Sequence, residues 1–166
     1  NNEIDNCSLY LNEAFNQTNS SAVVNNQENN FTFANLPDGY YNWTVVCYDD
    51  GGLSGTDTER YFYVDTRNPA INLNAPNNLI FNSSSVNLNF TATDNLDDPL
   101  TCNLTINGSV VDPGFGADND TLTNRLANNL VDGEQFWNVT CWDEAGNTNT
   151  SSTYNFTVTE YPSLVL

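Results

Sequence analysis

The chain has 166 residues, 39% apolar and 12% aromatic, enough to fill a sizeable core and too much for wholesale disorder. Its 21 acidic residues face only Arg60, Arg67 and Arg125, with no Lys and no His, for a net charge of −18. That balance excludes nucleic acid and anionic membrane surfaces as partners, since both are bound through cations, while a cation or a sugar remains compatible.

No apolar run approaches the ~18 residues of a membrane span, and the polar, acidic start at Asn1 to Asn6 is no signal peptide, so an export signal is expected upstream or already removed. The first strand signal is Cys7-Ser-Leu9-Tyr-Leu11-Asn12. A longer one follows in Leu36-Pro-Asp38-Gly39-Tyr-Tyr41-Asn-Trp43-Thr-Val45-Val-Cys47-Tyr-Asp49-Asp-Gly-Gly52, and Phe62-Tyr-Val64 comes after it. A linker at Asp65-Thr-Arg-Asn-Pro69 leads into strands expected at 70–73 (A), 84–93 (B), 101–107 (C), 121–127 (E), 135–143 (F) and 153–159 (G). Val86, Leu88, Phe90 and Ala92 alternate with polar residues, as do Trp137, Val139 and Cys141, and again Tyr154, Phe156 and Val158. A period of two marks a half-buried strand. Asn107-Gly108 supplies the φ > 0 pair of a tight hairpin. At the far end, Pro162-Ser-Leu164-Val-Leu166 resembles Pro69-Ala-Ile71-Asn-Leu73 and reads as another strand A.

An internal repeat organises these elements. The pattern L-x-D-G-x-x-x-W-x-V-x-C-x-D-x-x-G covers 36–52 and 130–146 without a gap. Cys7-Ser-Leu9 matches Cys102-Asn-Leu104, and Phe62-Tyr-Val64 matches Phe156-Thr-Val158, at a spacing of 94 or 95 residues throughout. The expected fold is all-β, with tandem immunoglobulin-like antiparallel β-sandwiches. Residues 1–65 read as a repeat lacking strands A and B, 66–160 as a complete repeat, and 161–166 as the start of strand A of a following repeat or as a donated strand. The chain is then either a stretch of a longer array or a subunit whose last strand completes a neighbour. Matched positions pair Cys7 with Cys47 and Cys102 with Cys141, each joining strand C to strand F within one copy. Four buried free thiols are the competing reading; zinc is disfavoured by the spacing and the lack of His. Oxidised cysteines imply an extracellular setting.

Thirteen N-x-[S/T] glycosylation acceptors stand at Asn6, Asn16, Asn19, Asn30, Asn42, Asn82, Asn89, Asn103, Asn107, Asn119, Asn138, Asn149 and Asn155. Outward strand positions filled with Asn and Thr would create such pairs in either direction, yet reversed triplets number only 6. The directional excess points to N-linked glycans, with strand polarity as the plainer source. Asn42, Asn89, Asn103, Asn138 and Asn155 flank inward residues and are expected to face solvent.

The motif D-G-x-x-x-W-x-V-x-C-x-D-x-x-G, with C-x-L-x-x-N upstream and F-x-V before a proline linker, resembles bacterial and archaeal Ig-like repeats of cell-surface proteins, including hyalin-repeat-type domains. It looks closest to the cysteine-containing, Asn-rich version of archaea. The resemblance implies a stalk, filament or adhesin segment at the cell surface, whose partners are adjacent repeats or identical subunits in a polymer. It implies no ligand. The first copy departs from it with Gly52-Leu53 where Gly146-Asn147 stands in the second.

In such a sandwich the linker, the BC loop and the FG loop share one pole. Asp65 on the linker, Asp94, Asp97 and Asp98 on the BC loop, and Asp143, Glu144 and Asn147 on the FG loop are therefore candidate Ca²⁺ ligands, hard oxygens of the kind calcium takes. The plainer explanation is that these Asp residues cap their own turns. Trp43 and Trp137 read as core residues, whereas Trp142 and the matching Tyr48 point outward, where they would stack on surface glycans or be covered by a neighbouring domain. Catalysis is not expected: His and Lys are absent, and no G-x-S-x-G or phosphate loop occurs. No cofactor beyond glycans, with calcium as an option, is required. The alternative to a structural repeat is a carbohydrate-binding β-sandwich module of a secreted protein.

Overall fold

A computed structural model describes residues 3–19 and 22–159. Every regular element among them is a strand. The chain divides into two compact units, residues 1–65 and 66–166. The strand expected at 161–166 lies outside the described residues.

The first unit is one five-stranded sheet, order β2 (Ala14–Thr18), β1 (Ile4–Leu11), β3 (Gly39–Asp49), β4 (Ser54–Thr56), with β5 (Arg60–Val64) also on β3. The β1–β2 turn uses Asn12 and Glu13, both at positive φ (48° and 64°). Cys7, Leu9 and Leu11 are buried, but Cys47, Val45 and Trp43, their respective partners on β3, are only half-buried. No second sheet covers this face among the described residues. Val23, Phe31 and Phe33, from the strandless segment before β3, border two hollows over it, of about 260 and 400 Å³.

The second unit is a sandwich of two sheets packed on one core. One sheet has the order β11 (Thr121–Ala127), β8 (Val86–Thr93), β6 (Ala70–Ala75). The other runs β10 (Ser109–Ala117), β9 (Leu100–Ile106), β12 (Gly133–Trp142), β14 (Tyr154–Val158), β7 (Leu79–Phe81), with β13 (Thr148–Thr150) also on β12. Alternation does what the sequence dictates: Val86, Leu88, Phe90 and Ala92 of β8 face inward against Cys102, Leu104, Trp137, Val139 and Phe156. Trp137 is 1% exposed, and its indole Nε1–H donates to the Pro76 carbonyl at 3.0 Å, which satisfies the one polar atom this ring carries into the core.

Three facing pairs share a register in both units. In the first, Cys7 lies opposite Cys47, Leu9 opposite Val45 and Leu11 opposite Trp43. In the second, Cys102 lies opposite Cys141, Leu104 opposite Val139 and Ile106 opposite Trp137. Each cysteine pair is a disulfide within one sheet, with Cα atoms 4.0 and 4.1 Å apart. Facing Cβ atoms at a close-paired antiparallel position bring two sulfurs within bonding reach.

Candidate functional site

The D-x-x-G half of the repeated motif is a turn built the same way twice. Asp143 Oδ1 accepts the Asn147 N–H at 2.8 Å, and Asp49 Oδ1 accepts the Leu53 N–H at 2.8 Å. Gly146 and Gly52 sit at φ +91° and +77°, where a side chain would be strained, and donate back to the carbonyls of Asp143 and Asp49. Turn geometry alone therefore explains why these Asp residues recur.

In the second unit this turn meets two further loops. Asp94 follows β8, and its Oδ1 accepts the N–H groups of Leu96 and Asp97 at 3.0 and 3.3 Å. Asn119, between β10 and β11, fastens this loop: its Oδ1 accepts the Asp94 N–H, and its Nδ2 donates to the carbonyls of both Asp94 and Asp97. The fold thereby gathers Asp94, Asp97 and Asp143, each with a carboxylate oxygen within 4.8 Å of the others'. Asp97 and Asp143 are 7% and 5% exposed. At that spacing and an effective dielectric of ~20, each fully ionised pair would repel by about 3.5 kcal/mol.

Burial pushes the Asp97 carboxyl above the usual range, and the charges of Asp143, Asp94 and Glu144 add to the rise, against a hydrogen bond from the Glu144 N–H. Asp143 spends both oxygens on Asn147, whose Nδ2 donates to Oδ2 at 2.8 Å. By contrast, Asp94 Oδ2 and Asp97 Oδ2 are buried without a hydrogen-bond partner.

Of the remaining candidates, Asp98 and Glu144 fall outside this group. Asp98 is exposed, and its Oδ1 accepts the Asn119 N–H at 2.8 Å, so it braces the loop from outside the trio. Glu144 is exposed and approaches Asp97 through its backbone. Asp65 closes the first unit and is half-buried. The fastening role of Asn119 is invisible in a linear pattern, because its partners lie 22 and 25 residues away.

The glycan acceptors separate into groups. Asn16, Asn30 and Asn82 are exposed, and their side chains make no hydrogen bond among the described residues. Others use the very nitrogen a glycan would occupy. Asn107 Nδ2 donates to buried Gln135, Asn119 Nδ2 donates twice, Asn149 Nδ2 donates to Pro69 O, and Asn155 Nδ2 donates to Glu134. The strand positions Asn42, Asn89, Asn103, Asn138 and Asn155 are half-buried rather than open, because neighbouring strands shade a short side chain in mid-sheet. Asn42 and Asn89 hold buried Oδ1 atoms. Asn6 Nδ2 donates to Asp5, and Asn6 and Asn19 are half-buried.

Of the outward aromatics, Tyr48 is exposed and Trp142 half-buried. Composition did not single out the more open ones, Tyr40 and Tyr61, which are 66% and 74% exposed on β3 and β5.

No protein-family profile matches the chain, and no curated protein matches it by sequence. Solved structures do match. The chain is similar to the fibronectin(III)-like modules of Clostridium thermocellum CbhA, at 15% identity and TM-score 0.48 over 96% of this chain and 80% of that one. It is similar to the central fibronectin-III array of RIM-binding protein, at 11% identity and TM-score 0.34 over 97% and 60%. A third match is a Bacteroides ovatus mixed-linkage glucan utilization protein, SGBP-B, solved with a mixed-linkage heptasaccharide, at 19% identity and TM-score 0.33 over 92% and 39%. The likeness is one of fold. The first two are fibronectin-III-type modules.

Proposed function

We propose that this chain is a non-catalytic structural repeat of a glycosylated extracellular surface protein, a segment of a stalk, filament or adhesin of the hyalin-repeat-type class. The observation that carries the reading is the disulfide repeated in one register, Cys7–Cys47 and Cys102–Cys141, beside the same D-x-x-G turn. A sheet closed by a bridge in every repeat suits an oxidising exterior. A repeated unit also supports a scaffold, because an active site is ordinarily built once. Adjacent repeats or identical subunits are its partners, and a cover of glycans on exposed sheet edges would limit unwanted strand pairing.

Protease shaving of intact cells of the native host tests this. The reading expects release of peptides from this chain carrying N-glycans and oxidised cysteines. Recovery solely from the cytosol, with reduced thiols, would contradict it. A second reading, a carbohydrate-binding module, draws support from exposed Tyr40 and Tyr61, since open aromatic rings stack on sugars. Retardation in polysaccharide affinity gels, abolished in the double variant Tyr40→Ala/Tyr61→Ala, would favour it over the scaffold.

A further inference from the structure

We propose that Asp94, Asp97 and Asp143 form a Ca²⁺ site that clamps the β8–β9 loop to the turn after β12. Acidic residues at loop ends are commonplace, and capping accounts for much of what these three do. It accounts for Asp94 Oδ1, which holds Leu96 and Asp97, and for both oxygens of Asp143, which hold Asn147. It does not account for Asp94 Oδ2 and Asp97 Oδ2. Both are buried with no hydrogen-bond partner, and Asp97 as a residue is 93% buried, taken from its 7% exposure.

A buried carboxylate oxygen without a donor is costly. Here two such oxygens belong to a group whose members lie within 4.8 Å of one another. The charges acting on Asp97 come from Asp143, Asp94 and Glu144, all of one sign. A divalent cation answers both defects, giving the oxygens a partner and balancing the charge. The donors are all oxygen, the chain has no His, and its four cysteines are spent in disulfides, so a hard cation fits and zinc does not. Calcium suits the group better than magnesium, because it accepts irregular carboxylate sets and keeps fewer waters. The first unit carries the matching turn at Asp49, but its Oδ1 is engaged by Gly51 and Leu53, and among the described residues no other acid joins it in such a group. No counterpart of the group forms around Asp49 among the described residues.

The test uses the whole 166-residue chain, stripped with EDTA and then given CaCl₂ or MgCl₂. Calorimetric melting should shift up by several degrees in millimolar Ca²⁺ and much less in Mg²⁺. Asp94→Asn and Asp97→Asn should lose the Ca²⁺ increment, while Asp118→Asn, an exposed acid outside the group, should keep it. Terbium luminescence, sensitised by the protein and displaced by Ca²⁺, gives a readout independent of stability, and circular dichroism checks that each variant keeps its strands. An unchanged wild-type melting temperature in Ca²⁺ would overturn the site in favour of a proton shared among the carboxylates. An increment of equal size in Asp97→Asn would overturn it in favour of general screening of the −18 charge, and an equal response to Mg²⁺ would overturn the assignment to calcium.

Discussion

Asn119 and Asp94 are tied by two hydrogen bonds: the Asp94 N–H donates to Asn119 Oδ1 at 3.0 Å, and Asn119 Nδ2 donates to the Asp94 carbonyl at 2.9 Å. A side-chain amide here takes the place of a sheet partner for a loop that has none, and its second proton holds the Asp97 carbonyl. Replacing Asn119 with Ala strands one donor and two acceptors. The second unit should lose about 2–3 kcal/mol, measured by urea denaturation followed by circular dichroism.

The same bonds bear on modification. A glycan on Asn119 would remove a proton that the fold uses, and Asn107 faces the same conflict through Gln135. Glycopeptide mass spectrometry of the native protein should find occupancy concentrated at Asn16, Asn30 and Asn82, with Asn107 and Asn119 bare. Full occupancy at Asn119 would contradict the structure of this loop.

Trp43 and Trp137 occupy matching positions but different surroundings. Trp137 lies between two sheets with its indole N–H bonded to Pro76, while Trp43 is half-buried with the Arg60 guanidinium 5.5 Å from its ring centre. Trp137→Ala should cost about 3–5 kcal/mol and Trp43→Ala only about 1–2 kcal/mol, each read from urea denaturation. Acrylamide should quench Trp43 more readily in the intact protein.

The elevated carboxyl of Asp97 makes stability depend on pH when cations are removed. Its native state keeps the proton at pH values where the unfolded chain, with the ordinary value of 3.8, has lost it. Stability from this group is therefore lost as pH rises from 3.8 through the native value. Asp97→Asn, uncharged throughout, should melt higher than wild type in EDTA at pH 7, and the gap should close as pH falls toward 3.8. A gap that stays constant across pH 3–8 would show that ionisation of Asp97 is not its source.

Much of this fold was legible in the residues because period-two alternation is a direct image of a sheet with one buried face. Val86 to Ala92, Trp137 to Cys141 and Tyr154 to Val158 all sit where that pattern puts them. β10 was not legible: Pro113 and Gly114 interrupt it, and its pairing with β9 slips register twice, so no clean alternation survives in Ser109–Ala117. β7 and β13 are three residues each, too short to show a period, and β7 pairs in parallel with a strand far along the chain. Residue type identified the acidic pole, but the choice among its members depended on hydrogen bonds. Asp98 turns to brace Asn119, while Asp94 and Asp97 leave an oxygen inward.

Peptide mapping of the native protein under non-reducing conditions tests the tandem, separately closed architecture most directly. Digestion followed by mass spectrometry should recover Cys7 linked to Cys47 and Cys102 linked to Cys141. Linkage of either pair across the two units, or four alkylatable thiols, would contradict it.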